Sequence, residues 1–231
     1  MNISKSFKKF IDGSKYFDTM LKFIGSETNL CPSKDKVFRF LEADVEKTKC
    51  IIVGMDPYSS TYYNGHIECP VATGRAFEVA DVRYWTDKYR QASLSNIFKA
   101  LCNLKFGKVY SIEELRKMVT KDNFRYIDIH DWFDAMEKEG VIFLNATLTT
   151  KAHITGAHID IWTDFMNELI KFIVDVNSDI KWMLWGASAK ERIGSFVRDD
   201  NIIYSCHPAT RVNNTFAKDC CFKKVKSIKW V

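Results

Sequence analysis

CIIVG, residues 50–54, is an unbroken apolar run that closes on a glycine. Apolarity without alternation is the pattern of a strand covered on both faces, as in a parallel sheet. Three later stretches read the same way: VIFLN at 141–145, KWMLWG at 181–186 and NIIYSCHP at 201–208. The segments between them carry helical spacing. Residues 4–25 place Phe7, Phe10, Ile11, Phe17, Leu21 and Ile24 on one broad face, Pro32 and Ser33 punctuate, and Phe38 to Leu41 predicts a short second helix. SLSNIFKALCNL opens at Ser93, a possible N-cap, and SIEELRKM begins a mainly helical stretch over 111–138 with Ser111 and Glu114 in capping-box register. Residues 158–176 and ASAKERIGSFV at 187–197 complete the helices.

Strands alternating with helices predict an α/β fold: a single domain with a central, mostly parallel four-stranded sheet and helices on both faces. Within it, residues 1–46 form a helical N-terminal segment and residues 47–231 the α/β core. Each strand runs into a small or polar cluster, GMDPY, LNATLTT, WGAS and CHPATR, and a long polar loop spans 56–74. Open α/β sheets bind ligands at the carboxyl ends of their strands, so these four loops should share one edge. Periodicity alone names no reaction.

Composition narrows the class without choosing a ligand. The net charge of +5 over 231 residues suits contact with phosphates if clustered, and otherwise describes an ordinary solvated surface. Seven cysteines without a C-x2-C pair read as reduced thiols of a cytoplasmic or nucleoid-associated protein, and offer no iron–sulfur spacing. No apolar run approaches the roughly 20 residues that span a bilayer.

Six segments occur in one order: GMDPY at 54–58, ATGRAF at 72–77, SLSNIFKAL at 93–101, FLNATLTT at 143–150, WGASA at 185–189 and HPATR at 207–211. The series resembles the uracil-DNA glycosylase superfamily, whose family-one members carry GQDPYH and HPSP loops. The similarity covers roughly residues 48–230. It implies a monofunctional glycosylase that flips a pyrimidine from DNA and hydrolyses its N-glycosidic bond, as a monomer with DNA as partner, with no cofactor, metal or membrane. Breaking that bond leaves positive charge on the sugar and negative charge on the departing base, so a carboxylate near one and a donor near the other would stabilise both.

The resemblance makes Asp56 the carboxylate, although an Asp-Pro turn is common in any loop. It makes His207 the neutral donor to the pyrimidine O2, where the plainer reading is a capping histidine. Asn145 would read the Watson–Crick edge of the base. Its amide carries both donor and acceptor and so fits a uracil-like or a cytosine-like edge. Phe77 would stack on the base, Tyr58 would stand beside C5, and Met55 would flank the base. Ser93, Gly186, Ser188 and Ser205 fall where the family contacts phosphate, though helix capping accounts for each equally simply. Arg211 replaces the family's frequent leucine wedge. The remaining histidines, His66, His130, His153 and His158, lack metal-ligand spacing.

Four departures bear on the substrate. Met55 replaces the glutamine of GQDPYH, Ser59 replaces its histidine, Gln91-Ala92 lacks the usual prolines, and the segment between Tyr58 and Phe77 is several residues longer. Uracil excision for repair is the preferred expectation. Excision of a modified pyrimidine, such as a substituted cytosine of phage DNA in a defence role, is the alternative. A DNA-binding or processivity module without important catalysis is a third, and it predicts that Asp56→Asn leaves biological function intact. A general nucleotide-binding protein would need a phosphate loop such as GxxxxGK, which is missing.

Overall fold

The computed structural model describes residues 3–210 and 212–231. The chain begins with α1 (Lys5–Gly13) and α2 (Phe17–Ser26), then β1 (Leu30–Cys31), three 3-10 turns and β2 (Cys50–Gly54). A hairpin of β3 (Thr61–Tyr63) and β4 (Glu68–Pro70) precedes α3 (Ala92–Phe106), α4 (Ile112–Met118) and α5 (Ile129–Lys138). The second half holds β5 (Val141–Asn145), β6 (Thr150–Lys151), α6 (Ile159–Val176), β7 (Lys181–Trp185), α7 (Ala187–Ile193), β8 (Ile202–Ser205) and α8 (Thr215–Asp219).

The four apolar runs form one parallel sheet in the order β5-β2-β7-β8. Side chains alternate across a strand, so each run divides between two cores. Cys50, Ile52, Val141, Phe143, Met183 and Trp185 face a core shared with α3, α4, α5 and the C-terminal segment. Ile51, Val53, Ile142, Leu144, Trp182 and Leu184 face a second core built with α1, α2, α6 and α7. This double burial is why the strands carry no polar alternation.

Several expectations change in detail. The 4–25 helix breaks after Gly13, because the Ser14 hydroxyl accepts the Tyr16 and Phe17 amides and starts a new helix. The short helix at 38–41 is a 3-10 turn, Arg39–Glu42. Ser93 is not an N-cap: α3 starts one residue earlier, with Gln91 in the extended cap position. The capping box at Ser111 and Glu114 is present. The stretch over 111–138 is two helices, α4 and α5, separated by irregular chain in which Asp128 caps α5 by accepting the His130 and Asp131 amides. The polar loop over 56–74 contains the β3–β4 hairpin, with Tyr62 opposite Cys69. Among the described residues, no helix is long and apolar enough to cross a membrane.

Candidate active site

The sheet order sends the chain from β2 to β5 on one side and then across to β7 on the other, leaving a crevice at the carboxyl ends. Gly54 closes β2 directly opposite Asn145, which closes β5. A Cβ on Gly54 would stand 2.3 Å from Asn145 Oδ1 and 3.0 Å from Ala76 Cβ. Only a glycine lets the Asn145 amide lie across the end of β2. That amide is 6% exposed and makes no hydrogen bond to other described residues, so its donor and acceptor are open to a ligand. The ladder continues one step beyond the strands, with the Ala146 and Thr147 amides donating to the Gly54 and Met55 carbonyls at 2.9 and 3.0 Å.

This continuation delivers Asp56 to the crevice. Its Oδ2 accepts the Gly156 N–H at 2.7 Å. Burial raises the carboxyl above the usual carboxylate range, and the amides of Gly156 and of Asp56 itself pull it back. The next residues turn along the crevice wall. The Tyr58 hydroxyl is buried without a well-formed hydrogen bond among the described residues, and burial, only partly offset by the nearby Ser93 hydroxyl, pushes its pKa up to about 12. Ser59 faces Thr155, their hydroxyls 3.2 Å apart.

Phe77 reaches the same crevice from the opposite wall in a left-handed backbone conformation, φ +69°. Such a conformation costs a bulky L-residue about 1–2 kcal/mol, so its neighbours must hold it. They do so through charge. Arg75, with its side chain 3% exposed, pairs with Glu78 at 2.9 Å, Asp134 at 2.5 Å and Glu137, whose Oε1 accepts Nε at 2.7 Å. Glu78 in turn accepts from Thr73 and lies 2.9 Å from His130 Nδ1. These partners hold Glu78 below the usual carboxylate range despite its burial, and Glu78 raises His130. The Phe77 ring packs on Trp185 with centroids 4.9 Å apart and on His207 at 6.2 Å.

His207 follows β8. Gly186, at φ +102°, lies so close that its ideal Cβ would be 3.1 Å from His207 Cβ. Nδ1 of His207 accepts the Ala209 N–H at 3.1 Å, which places the ring proton on Nε2 in the neutral form. Burial lowers its pKa, so the ring is a neutral donor at pH 7. Asn96 of α3 fixes this loop by donating to the Pro208 and Thr210 carbonyls.

Gly54, Met55, Asp56, Tyr58, Ser59, Phe77, Ser93, Asn145, Thr155 and His207 line one cavity of about 240 Å³. That lies below the roughly 300–1,000 Å³ of drug-sized sites and suits a single base ring. A larger hollow of about 400 Å³ lies against Arg39, Arg75, Asp134 and Glu137, but its charges are already paired with one another. In the smaller cavity, by contrast, the carboxylate, the amide and the imidazole have free faces.

Of the phosphate-contact candidates, Ser93 lines the cavity wall. Gly186 is buried behind His207, and Ser188 is exposed at the start of α7. The Ser205 side chain is turned away, buried and donating to Asp219 Oδ2 at 2.9 Å. Arg211 lies outside the described residues. The sequence reading passed over Thr155 and Gly156. The only signal for them was a lone glycine in a polar loop after FLNATLTT.

The parallel sheet thus brings a carboxylate from beyond β2, an open amide from the end of β5 and a neutral imidazole from beyond β8 to one small cavity, an arrangement suited to a hydrolase acting on a bond to a flat heterocycle. Residues 42–226 match the model of the "Uracil DNA glycosylase superfamily". The chain belongs to that superfamily, a family of DNA glycosylases that hydrolyse N-glycosyl bonds. The chain is 30% identical over 183 residues to a uracil-DNA glycosylase of Francisella tularensis subsp. holarctica, covering 77% of this chain and 70% of that protein. It is 28% identical over 204 residues to uracil-DNA glycosylase 1 of Bacteroides fragilis, covering 85% and 78%. The fold is shared with the crystal structure from Nitratifractor salsuginis (TM-score 0.72, 19% identity, 96% of this chain and 90% of that one). It is also shared with mimivirus uracil-DNA glycosylase (TM-score 0.64, 22% identity, 89% and 69%).

Proposed function

We propose that this protein excises uracil from DNA, flipping the base into the cavity and hydrolysing its N-glycosidic bond to leave an abasic site. The observation that carries the reading is the gathering of Asp56, Tyr58, Phe77, Asn145 and His207 around one base-sized slot. Phe77 stacks on the flipped ring and Asn145 pairs with its edge. Tyr58 closes the space beside C5. As the bond breaks, His207 donates Nε2–H to the pyrimidine O2, and Asp56 faces the sugar cation and holds the attacking water. Ser93 and Ser188 stand in the first turns of α3 and α7, whose N–H groups would meet the flanking phosphates, whereas the Gly186 N–H is taken by the Ser205 carbonyl. The relatives named uracil-DNA glycosylase support the choice of base.

One observation favours a second reading. Ser59 and Thr155 put two small hydroxyls on the cavity wall, and the β3–β4 hairpin begins one residue beyond the lining Ser60. That leaves a polar exit for a substituent on the base, such as that of a modified cytosine in phage DNA. Duplexes with one uracil or one modified cytosine, read by alkali cleavage beside Asp56→Asn, test both. Asp56-dependent release from the uracil duplex is expected. Release from the modified duplex alone would overturn uracil as the substrate.

A further inference from the structure

The support of the catalytic carboxylate is itself a built device. Among the described residues, the one hydrogen bond that the Asp56 carboxylate accepts from outside its own loop comes from Gly156, in the short loop 152–157 that follows β6. Two residues of this loop are left-handed, His153 at φ +66° and Gly156 at φ +72°. An added Cβ on Gly156 would stand 3.0 Å from Ile159 Cδ1. One side chain ties the loop to itself. Thr150, fully buried, donates its hydroxyl to the Ile154 carbonyl and accepts the Ala157 N–H at 3.2 Å. A second set of bonds docks the loop on the Asp56 segment: the His153 amide donates to the Ser59 carbonyl at 2.7 Å, and the Thr155 and Ser59 hydroxyls meet.

We infer that Thr150 is a positioning residue for catalysis, holding loop 152–157 so that the Gly156 N–H keeps the Asp56 carboxylate aimed into the cavity. The inference rests on the catalytic reading of Asp56 given above. Thr150 touches no substrate. Its hydroxyl sets the angle at which Gly156 presents its proton to Oδ2. Burial works against the charged carboxylate, and the Gly156 amide is the first influence opposing it. Losing that bond therefore moves the carboxyl upward. Among the described residues, the other titratable groups lining the cavity with Asp56 are Tyr58 and His207; on the supporting segment Lys151 pairs with Glu27, and His153 faces Glu68 of the hairpin. The Thr150 variants leave all of these unchanged.

The test is the acid limb of kcat on a duplex carrying one uracil, for wild type, Thr150→Val, Thr150→Ser, Gly156→Ala and Asp56→Asn. Thr150→Val removes the hydroxyl at nearly constant shape. The limb should move up by about one pH unit, a roughly tenfold lower rate on that limb. Thr150→Ser should restore the wild-type limb. Gly156→Ala, strained at its positive φ, should shift it in the same direction, which keeps the test open if Thr150→Val fails to fold. A wild-type limb in both Thr150→Val and Gly156→Ala, whatever happens to kcat/KM, overturns the inference while Asp56→Asn inactivity leaves the catalytic reading standing. An active Asp56→Asn removes both. Carboxyl carbon-13 NMR, with Asp56 assigned by difference from Asp56→Asn, reads the same shift without any turnover.

Discussion

Replacing Gly54 with alanine tests whether the Asn145 amide is held where the base edge must be read. The new Cβ would lie 2.3 Å from Asn145 Oδ1 and 3.0 Å from Ala76 Cβ. Ordinary contact begins near 3.4 Å, so the amide must retreat by about 1 Å or rotate out of the slot. A misplacement of about 1 Å at a reacting centre costs about 100-fold in rate. Gly54 is not in the left-handed region, so backbone strain adds nothing, and overpacking should lower stability by about 1–3 kcal/mol. The assay is single-turnover uracil release together with thermal melting. Gly25→Ala is the control, because nothing stands within 4 Å of its added Cβ and it lies in α2, where alanine stabilises by about 0.5–1 kcal/mol. The expected outcome is a folded Gly54→Ala protein with kcat/KM down about 100-fold. Wild-type kcat/KM in that variant would refute the assignment of Asn145 to base recognition.

Three further outcomes follow from the same geometry. His207→Ala should lower kcat by about 100- to 1,000-fold with little change in KM, as for the loss of one donor to a developing anion; an equal loss in KM alone would place His207 in ground-state binding. Glu78→Gln leaves the buried Arg75 with only Asp134 and Glu137 and should cost about 3 kcal/mol in urea unfolding, with a parallel fall in kcat/KM as Phe77 loosens. His158 is buried with Nε2 unpartnered among the described residues and its pKa lowered by burial, so the unfolded chain binds its proton more readily. Its contribution to stability is present above the ordinary histidine pKa of about 6.5 and is lost as pH falls below it. Melting of His158→Gln should therefore depend less on pH across that window than wild type; identical slopes would exclude His158 as a source.

The strands could be read from the sequence because double burial demands unbroken apolar runs, and each run ends where the sheet ends. The gathering of Asp56, Asn145 and His207 follows from that, since all three lie at or just beyond carboxyl ends of β2, β5 and β8. The hairpin could not be read so easily. Its strands have three residues each, and its closing contacts join Thr61 and Glu68 to His153, 92 residues from Thr61. The support of Phe77 was hidden for the same reason, as Arg75 meets Asp134 and Glu137 at separations of 59 and 62 residues. Ser205 shows the opposite limit. Its place in the chain suggested phosphate, but a partner 14 residues later, Asp219, takes its hydroxyl.

Asp56 and His207 stand beyond the ends of β2 and β8, and β7 runs between those two strands. Strands in a sheet are about 4.8 Å apart, so the ends of β2 and β8 are set off by about 10 Å of hydrogen-bonded ladder. The sheet thus acts as a ruler. Carboxylate and imidazole do not pair with each other; Asp56 bonds to the Gly156 N–H and His207 to the Ala209 N–H. The middle strand ends in Trp185 and then Gly186, whose missing side chain lets His207 lie close against it. On the proposed reading, a nucleoside entering the cavity would span that interval, sugar toward one mark and base oxygen toward the other, and the spacing of the sheet would set where its bond lies.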